Sequence, residues 1–141
     1  MTFSESIQTC LHKFVTWQGR ATRSEFWFFV LFGLLCQLAA AIVDGMLGTR
    51  FTAMDFATGQ PQPAFYGWVY IATALALFLP NLAVTVRRLH DKNRSGWFYW
   101  IALIPLIGAI ILLVWFCSRG TQGENRFGPD PLGGERSVPY G

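Results

Sequence analysis

Charge is scarce in this chain. Asp, Glu, Lys and Arg make up 13% of its 141 residues, about half the roughly 25% of soluble proteins. Cysteine is scarce as well: Cys10, Cys36 and Cys117 stand at no CxxC spacing. That excludes a disulfide framework or a zinc ribbon and leaves them as reduced packing residues. The two histidines, His12 and His90, lack a second ligand at metal spacing, so neither a metal nor another cofactor is expected. No ionisable residue lies deep within an apolar stretch, which argues against an intramembrane ion pathway. The first apolar run begins only at Phe26, with no small-x-small site after it. A cleaved signal peptide is therefore not expected.

Apolar residues, in contrast, are abundant at 52%. Residues 97–117 carry no charge over 21 positions, and a helix of that length reaches about 32 Å against a hydrocarbon core of roughly 30 Å. Two further runs resemble it, giving expected spans at about 26–46, 65–86 and 97–117. The expected fold class is an all-α membrane protein with three transmembrane helices and a short amphipathic N-terminal helix. One multi-pass domain would cover residues 1–131, followed by a disordered tail at 132–141.

Helical spacing of Phe3, Ile7, Cys10, Leu11, Phe14 and Trp17 predicts the N-terminal helix over 3–17. Thr2 and Glu5 fit a capping box, and Gly19 is a plausible stop. This helix either lies flat at the interface or docks on the rest of the protein. Thr22 and Glu25 are placed to cap the first span, with Arg20, Arg23 and Trp27 at headgroup depth. The Ala39–Ala41 run and the Ala41/Gly45 pair are small enough for close helix approach. Residues 44–64 read as a loop. Pro80 is expected to kink the second span, with Asn81 packing beside it. A short basic loop, Arg87-Arg-Leu-His-Asp-Lys-Asn-Arg-Ser-Gly96, follows, with Arg87 and Asp91 spaced to pair on one helical turn. Pro105 and Gly108 are expected to bend the third span.

Basic residues number three in the N-terminal arm, one in the first loop, four in the second and three in the tail. With three full spans, a cytoplasmic N-terminus and an external C-terminus satisfy the positive-inside rule best. If 97–117 instead turned back at Pro105–Gly108, all three basic segments would share one side. Each half would then be too short to span, and the turn would need protein cover.

Four motifs stand in order: GRATRSEFWFF at 19–29, RRLHDKNRSGW at 87–97, IPLIG at 104–108 and GENRFGPDP at 123–131. Together, interleaved with apolar runs over about residues 10–131, they resemble the bacterial inner-membrane family known as domain of unknown function 805. The resemblance implies a small multi-pass protein of the bacterial plasma membrane. It implies no activity and transfers no catalytic residues.

Three functions fit these residues. The first is a non-catalytic protein that packs with anionic phospholipid or another membrane protein, or as a homo-oligomer. Its headgroup or partner contacts would be Arg20, Arg23, Arg87, Arg88, His90, Asp91, Arg94, Asn125 and Arg126. The second is an enzyme acting on a phosphorylated lipid headgroup. There His90 would be the acid/base, Asp91 its orienter, and Arg87, Arg88 and Arg94 the phosphate clamp. The absence of an acidic cluster for Mg²⁺ speaks against it. The third is an oligomeric transporter or channel, which only Gln37 and Asn81 could line with polarity. The basic residues lie hard against apolar runs, so no nucleic-acid partner is expected. The non-catalytic reading is preferred.

Overall fold

The computed structural model describes residues 1–133, so most of the expected disordered tail (132–141) lies outside the described residues. Helix α1 covers Phe3–His12 and α2 covers Arg23–Leu47. Strands β1 (Arg50–Met54) and β2 (Pro61–Gly67) follow, then α3 over Trp68–Asp91. A 3-10 helix at Gly96–Leu103 and α4 at Ile107–Cys117 complete the elements. The chain divides into two compact units.

The first unit comprises Met1–Val30 and the chain from Pro80 onward. Helix α1 opens with the expected capping box: Thr2 Oγ1 accepts from Glu5 N at 3.3 Å, and Thr2 N donates to Glu5 Oε2 at 2.7 Å. The helix ends at His12, earlier than the expected 17, because Lys13–Val15 turn and Gly19 takes a positive φ of 90°. It docks through small residues, with Ser6 and Cys10 fully buried. Phe3, Leu11, Phe14, Val15 and Trp17 remain exposed, an outward apolar face suited to a lipid surface.

The expected continuous third span is corrected. Residues 97–117 form two short helices packed on each other, and the chain reverses at Pro105–Leu106. Pro105 cannot donate a backbone hydrogen bond, and Leu106 adopts φ 64°, a left-handed conformation that no helix interior accepts. Gly108 permits the close return, since a Cβ there would lie 1.8 Å from Ile101 O. At the open end Phe98 meets Trp115 edge-on at 5.8 Å.

The second unit, Leu31–Leu79, holds most of α2, the first half of α3 and a β-hairpin where a loop is expected from the sequence. Register runs Arg50↔Gly67, Thr52↔Pro63, Ala53↔Gln62 and Met54↔Pro61, with a bulge between Arg50 and Thr52. Phe65 and Tyr66 belong to β2, so the second long helix starts at Trp68 and not at 65. Asp44, fully buried near the end of α2, accepts from Val69 N at 3.0 Å and Tyr70 N at 2.8 Å. A carboxylate here satisfies orphan donors at the positive end of α3. Gly67 is required beside it, because a Cβ would fall 2.7 Å from the Asp44 carboxylate. Gly45 cradles Arg50, whose guanidinium lies 2.5 Å from the position of an added Cβ and donates to Ala41 O at 3.3 Å. The expected small-residue face at Ala41/Gly45 is thus occupied from within the chain. Gln37, oriented with its amide nitrogen 3.3 Å from Tyr70 O and its oxygen 3.2 Å from Ala74 N, ties α2 to α3.

Two helices, α2 and α3, are long and apolar enough to cross a membrane. Only 17% of the apolar window of α2 and 22% of that of α3 is buried. Their apolar surface therefore faces outward, unlike that of a soluble core helix.

A buried ionic knot joins three of the motifs

The candidate site lies within the first unit, where the polar motifs converge. Asp91, the last residue of α3, receives Arg20 Nε at 3.0 Å on Oδ1, and Arg88 Nη1 on Oδ2. The remaining donors of Arg20 fan onto tail carbonyls: Nη1 to Gly123 O at 2.6 Å and Gly128 O at 3.5 Å, and Nη2 to Thr121 O. Asp130 stands 4.0 Å from Arg20 Nη2 and accepts from Gly123 N at 3.0 Å. Guanidinium geometry suits this task, because its five donors lie in one fixed plane.

Arg88 also closes the end of α4. Its Nη2 donates to Phe116 O at 3.1 Å and Ser118 O at 2.5 Å, while Arg23 Nη1 reaches Cys117 O at 3.2 Å. Cations are favoured there because the final carbonyls of a helix lack partners and carry its negative dipole end. Arg87 turns to the opposite side. It pairs with Glu25 Oε1 at 2.5 Å and approaches Cys10 Sγ at 3.9 Å. The expected Arg87–Asp91 pair is therefore corrected: Asp91 is taken by Arg88 and Arg20, and Arg87 by Glu25. Thr22 caps α2 as expected, accepting from Glu25 N at 3.1 Å.

The tail is laid across this knot. Thr121 N donates to Asp91 O at 2.7 Å, and Asn125 Nδ2 to His90 O at 3.0 Å. Phe127 stacks flat on the His90 ring, with 3.9 Å between centroids and 4° between planes. Gly120 must lack a side chain, since a Cβ would lie 1.9 Å from Asp91 Oδ2. These contacts place residues 119–130 at the same end of the molecule as Arg20. The expectation of arm and tail on opposite sides of a bilayer is overturned, because segments bonded to each other cannot be separated by hydrocarbon.

Arg20, Arg87, Arg88 and Asp91 have side chains no more than 4% exposed. Their expected role as direct headgroup contacts is corrected, because burial and protein partners remove them from any lipid. Asn125 is likewise spent on the backbone. His90 Nδ1 lies 3.1 Å from Gly19 O, and Asp91 is held by two arginines. The acid/base pair of the enzymatic reading is therefore not assembled. Arg23, Arg94 and Arg126 remain exposed. Arg126 lies over Phe127 at 4.7 Å and donates to Asn93 O at 3.4 Å.

Cys10 and Glu25 were missed as members of the knot. Cys10 at an inward helical position was the only available signal, and it is equally that of a packing thiol. Burial, reinforced by the nearby Glu25 carboxylate, pushes its thiol from an ordinary 9.0 up to about 12. The folded state thus holds a proton that the unfolded chain releases first. This stabilisation is complete below about pH 9 and is lost as pH rises through about 12. In a protein with Cys36 and Cys117 replaced by serine, Cys10 is expected to resist maleimide at about pH 8 and to react once unfolded. Rapid labelling of the folded protein would refute its placement.

The molecule is a helical membrane protein built round a buried ionic knot, with no assembled catalytic constellation among the described residues. It belongs to the family described as "Protein of unknown function (DUF805)", whose model matches residues 14–129. Over 121 residues it is 40% identical to Escherichia coli inner membrane protein YhaH, covering 86% of this chain and 91% of YhaH. It is 37% identical to E. coli inner membrane protein YhaI over the same length, covering 86% of this chain and 90% of YhaI. No solved structure matches.

Proposed function

We propose that this chain is a non-catalytic inner-membrane protein that seats its basic end on anionic phospholipid at the cytoplasmic face. One observation carries the reading. The groups a catalyst would use are spent on one another, while the outward polar groups of the first unit are mostly cations. Lys13, Arg23, Arg94, Arg119 and Arg126 are exposed and Lys92 is half-buried, against exposed Glu5 and Glu124. Each basic residue near an anionic leaflet contributes about 1 kcal/mol.

In this reading α2 and α3 cross the bilayer, and the 3-10 helix and α4 form a re-entrant hairpin. Eight residues at about 2.0 Å and eleven at about 1.5 Å each reach roughly 16 Å, half the hydrocarbon core. Arm, basic loop and tail then share the cytoplasmic side, in keeping with the positive-inside rule. Paired reporters fused after Gln18, Gly59 and Pro131 test the arrangement. The first and third sites are expected to support the cytoplasm-only reporter, and Gly59 the external one. External activity after Pro131 would sink the two-span topology.

A further inference from the structure

Among the described arginines of the first unit, Arg94 alone lies against two aromatic rings. Arg20, Arg87 and Arg88 are buried among acceptors, and Arg23 and Arg126 reach carbonyl oxygens. The Arg94 guanidinium instead sits 5.0 Å from the centroid of Trp115 and 5.5 Å from that of Phe98. Two rings from the two arms of the hairpin, set at 75° to each other, thus flank an exposed cation. No protein acceptor takes the Arg94 side-chain N–H groups among the described residues, which leaves them for an oxyanion, a group that a guanidinium binds through two parallel hydrogen bonds. Its position in the chain is also specific. Arg94 immediately precedes the 3-10 helix, whose first residues include exposed Trp97, Tyr99 and Trp100. Trp and Tyr of that kind mark headgroup depth.

A second cation lies nearby. Lys92 Nζ is anchored on Arg119 O at 2.7 Å, and burial, then the Arg88 charge and last that of Arg94, hold the Lys92 ammonium below its ordinary range. No carboxylate pairs with either side chain among the described residues. Two cations, one against aromatic rings and one tethered, thus lack a salt-bridge partner among the described residues at the base of an apolar hairpin, with Asp91 attracting Lys92 from farther off.

We infer that Arg94, held between Phe98 and Trp115 and assisted by Lys92, binds the phosphodiester of an anionic phospholipid whose acyl chains lie along the hairpin. This rests on the lipid reading above and names its site. Inorganic phosphate shares the chemistry, but the exposed apolar surface of Leu103, Leu106, Ile107 and Ile110 on the same hairpin favours a ligand with acyl chains.

The test is native mass spectrometry of the intact protein, delipidated and then titrated with phosphatidylglycerol or phosphatidylcholine. Wild type is expected to bind phosphatidylglycerol preferentially. Arg94→Gln should weaken the tightest binding event roughly tenfold, or about 1.4 kcal/mol. Arg50→Gln, in the second unit and with the same change in net charge, should leave that event unchanged. Trp115→Leu should weaken binding without altering charge, and Arg94→Lys should fall between, because an ammonium loses the planar fork. Unfolding temperatures of all variants identify any that lose binding by misfolding, and for such a variant Trp115→Leu and Arg94→Lys decide. Equal losses in Arg94→Gln and Arg50→Gln would overturn the site while leaving diffuse lipid attraction intact. No preference for phosphatidylglycerol in wild type would overturn the lipid reading itself. Displacement of the lipid by inorganic phosphate, dependent on Arg94, would overturn the lipid as the ligand.

Discussion

Replacing Arg20 with alanine is expected to open the tail to trypsin and to cost about 3–5 kcal/mol, the usual penalty for removing one partner of a buried pair. The size follows from what this side chain does. It bonds Asp91 and three carbonyls of residues 121–128 while almost wholly removed from water. Its loss leaves the Thr121 and Gly123 carbonyls without that donor, Gly128 O with Asn125 N, and Asp91 with Arg88 alone. Thr121 N, Asn125 and the Phe127–His90 stack still hold the tail, so loosening is expected, not complete release. Limited proteolysis in mild detergent reads the effect as cleavage after Arg119 and Arg126. Arg20→Lys should be intermediate, because one ammonium cannot match the planar spread of acceptors. A tail as resistant in Arg20→Ala as in wild type would refute the latch.

The second large effect concerns the other side of the knot. Arg87→Met strands the Glu25 carboxylate in a buried site and is expected to lower stability by about 3–5 kcal/mol; Glu25→Leu strands the guanidinium at similar cost. The double variant should recover most of the loss, because paired charges out of water gain little over apolar groups of similar volume. Arg87 Nε and Arg88 Nε are buried with no acceptor, and each such donor costs about 1–3 kcal/mol. The pair is therefore a poor source of stability, and recovery by the double variant is the sharper expectation. Unfolding temperatures of the four proteins complete the cycle. A double variant as unstable as the sum of the singles would show that the two charges serve separate partners.

Much of this was legible in the chain. The Thr2–Glu5 box and the two long apolar helices follow from spacing alone. Three of the four motifs, all but IPLIG at 104–108, fall together in one cluster, although nothing in their order says that they meet. What failed was partner choice. Counting four residues from Arg87 to Asp91 picks the wrong arginine on the turn: Arg87 pairs 62 positions away, and Asp91 takes Arg88, three positions back, together with Arg20, 71 away. Length misled at 97–117, where an uncharged run of span length conceals a reversal at Pro105–Leu106. The β-hairpin was hidden by Pro61 and Pro63. Prolines argue against a central strand, but in a two-stranded sheet every strand is an edge with ladder positions to spare.

The burial of Arg20, Arg87 and Arg88 separates two moments in the life of a charge. The positive-inside rule acts on the chain as it enters the bilayer, when these arginines have no tertiary partners and count fully toward orientation. Once the tail closes over them they leave water and become internal joints. The same three side chains are thus read twice, first by the insertion machinery as a sum of charge and later by the fold as directed donors. Lysine would serve the first reading as well as arginine, and only the second distinguishes them.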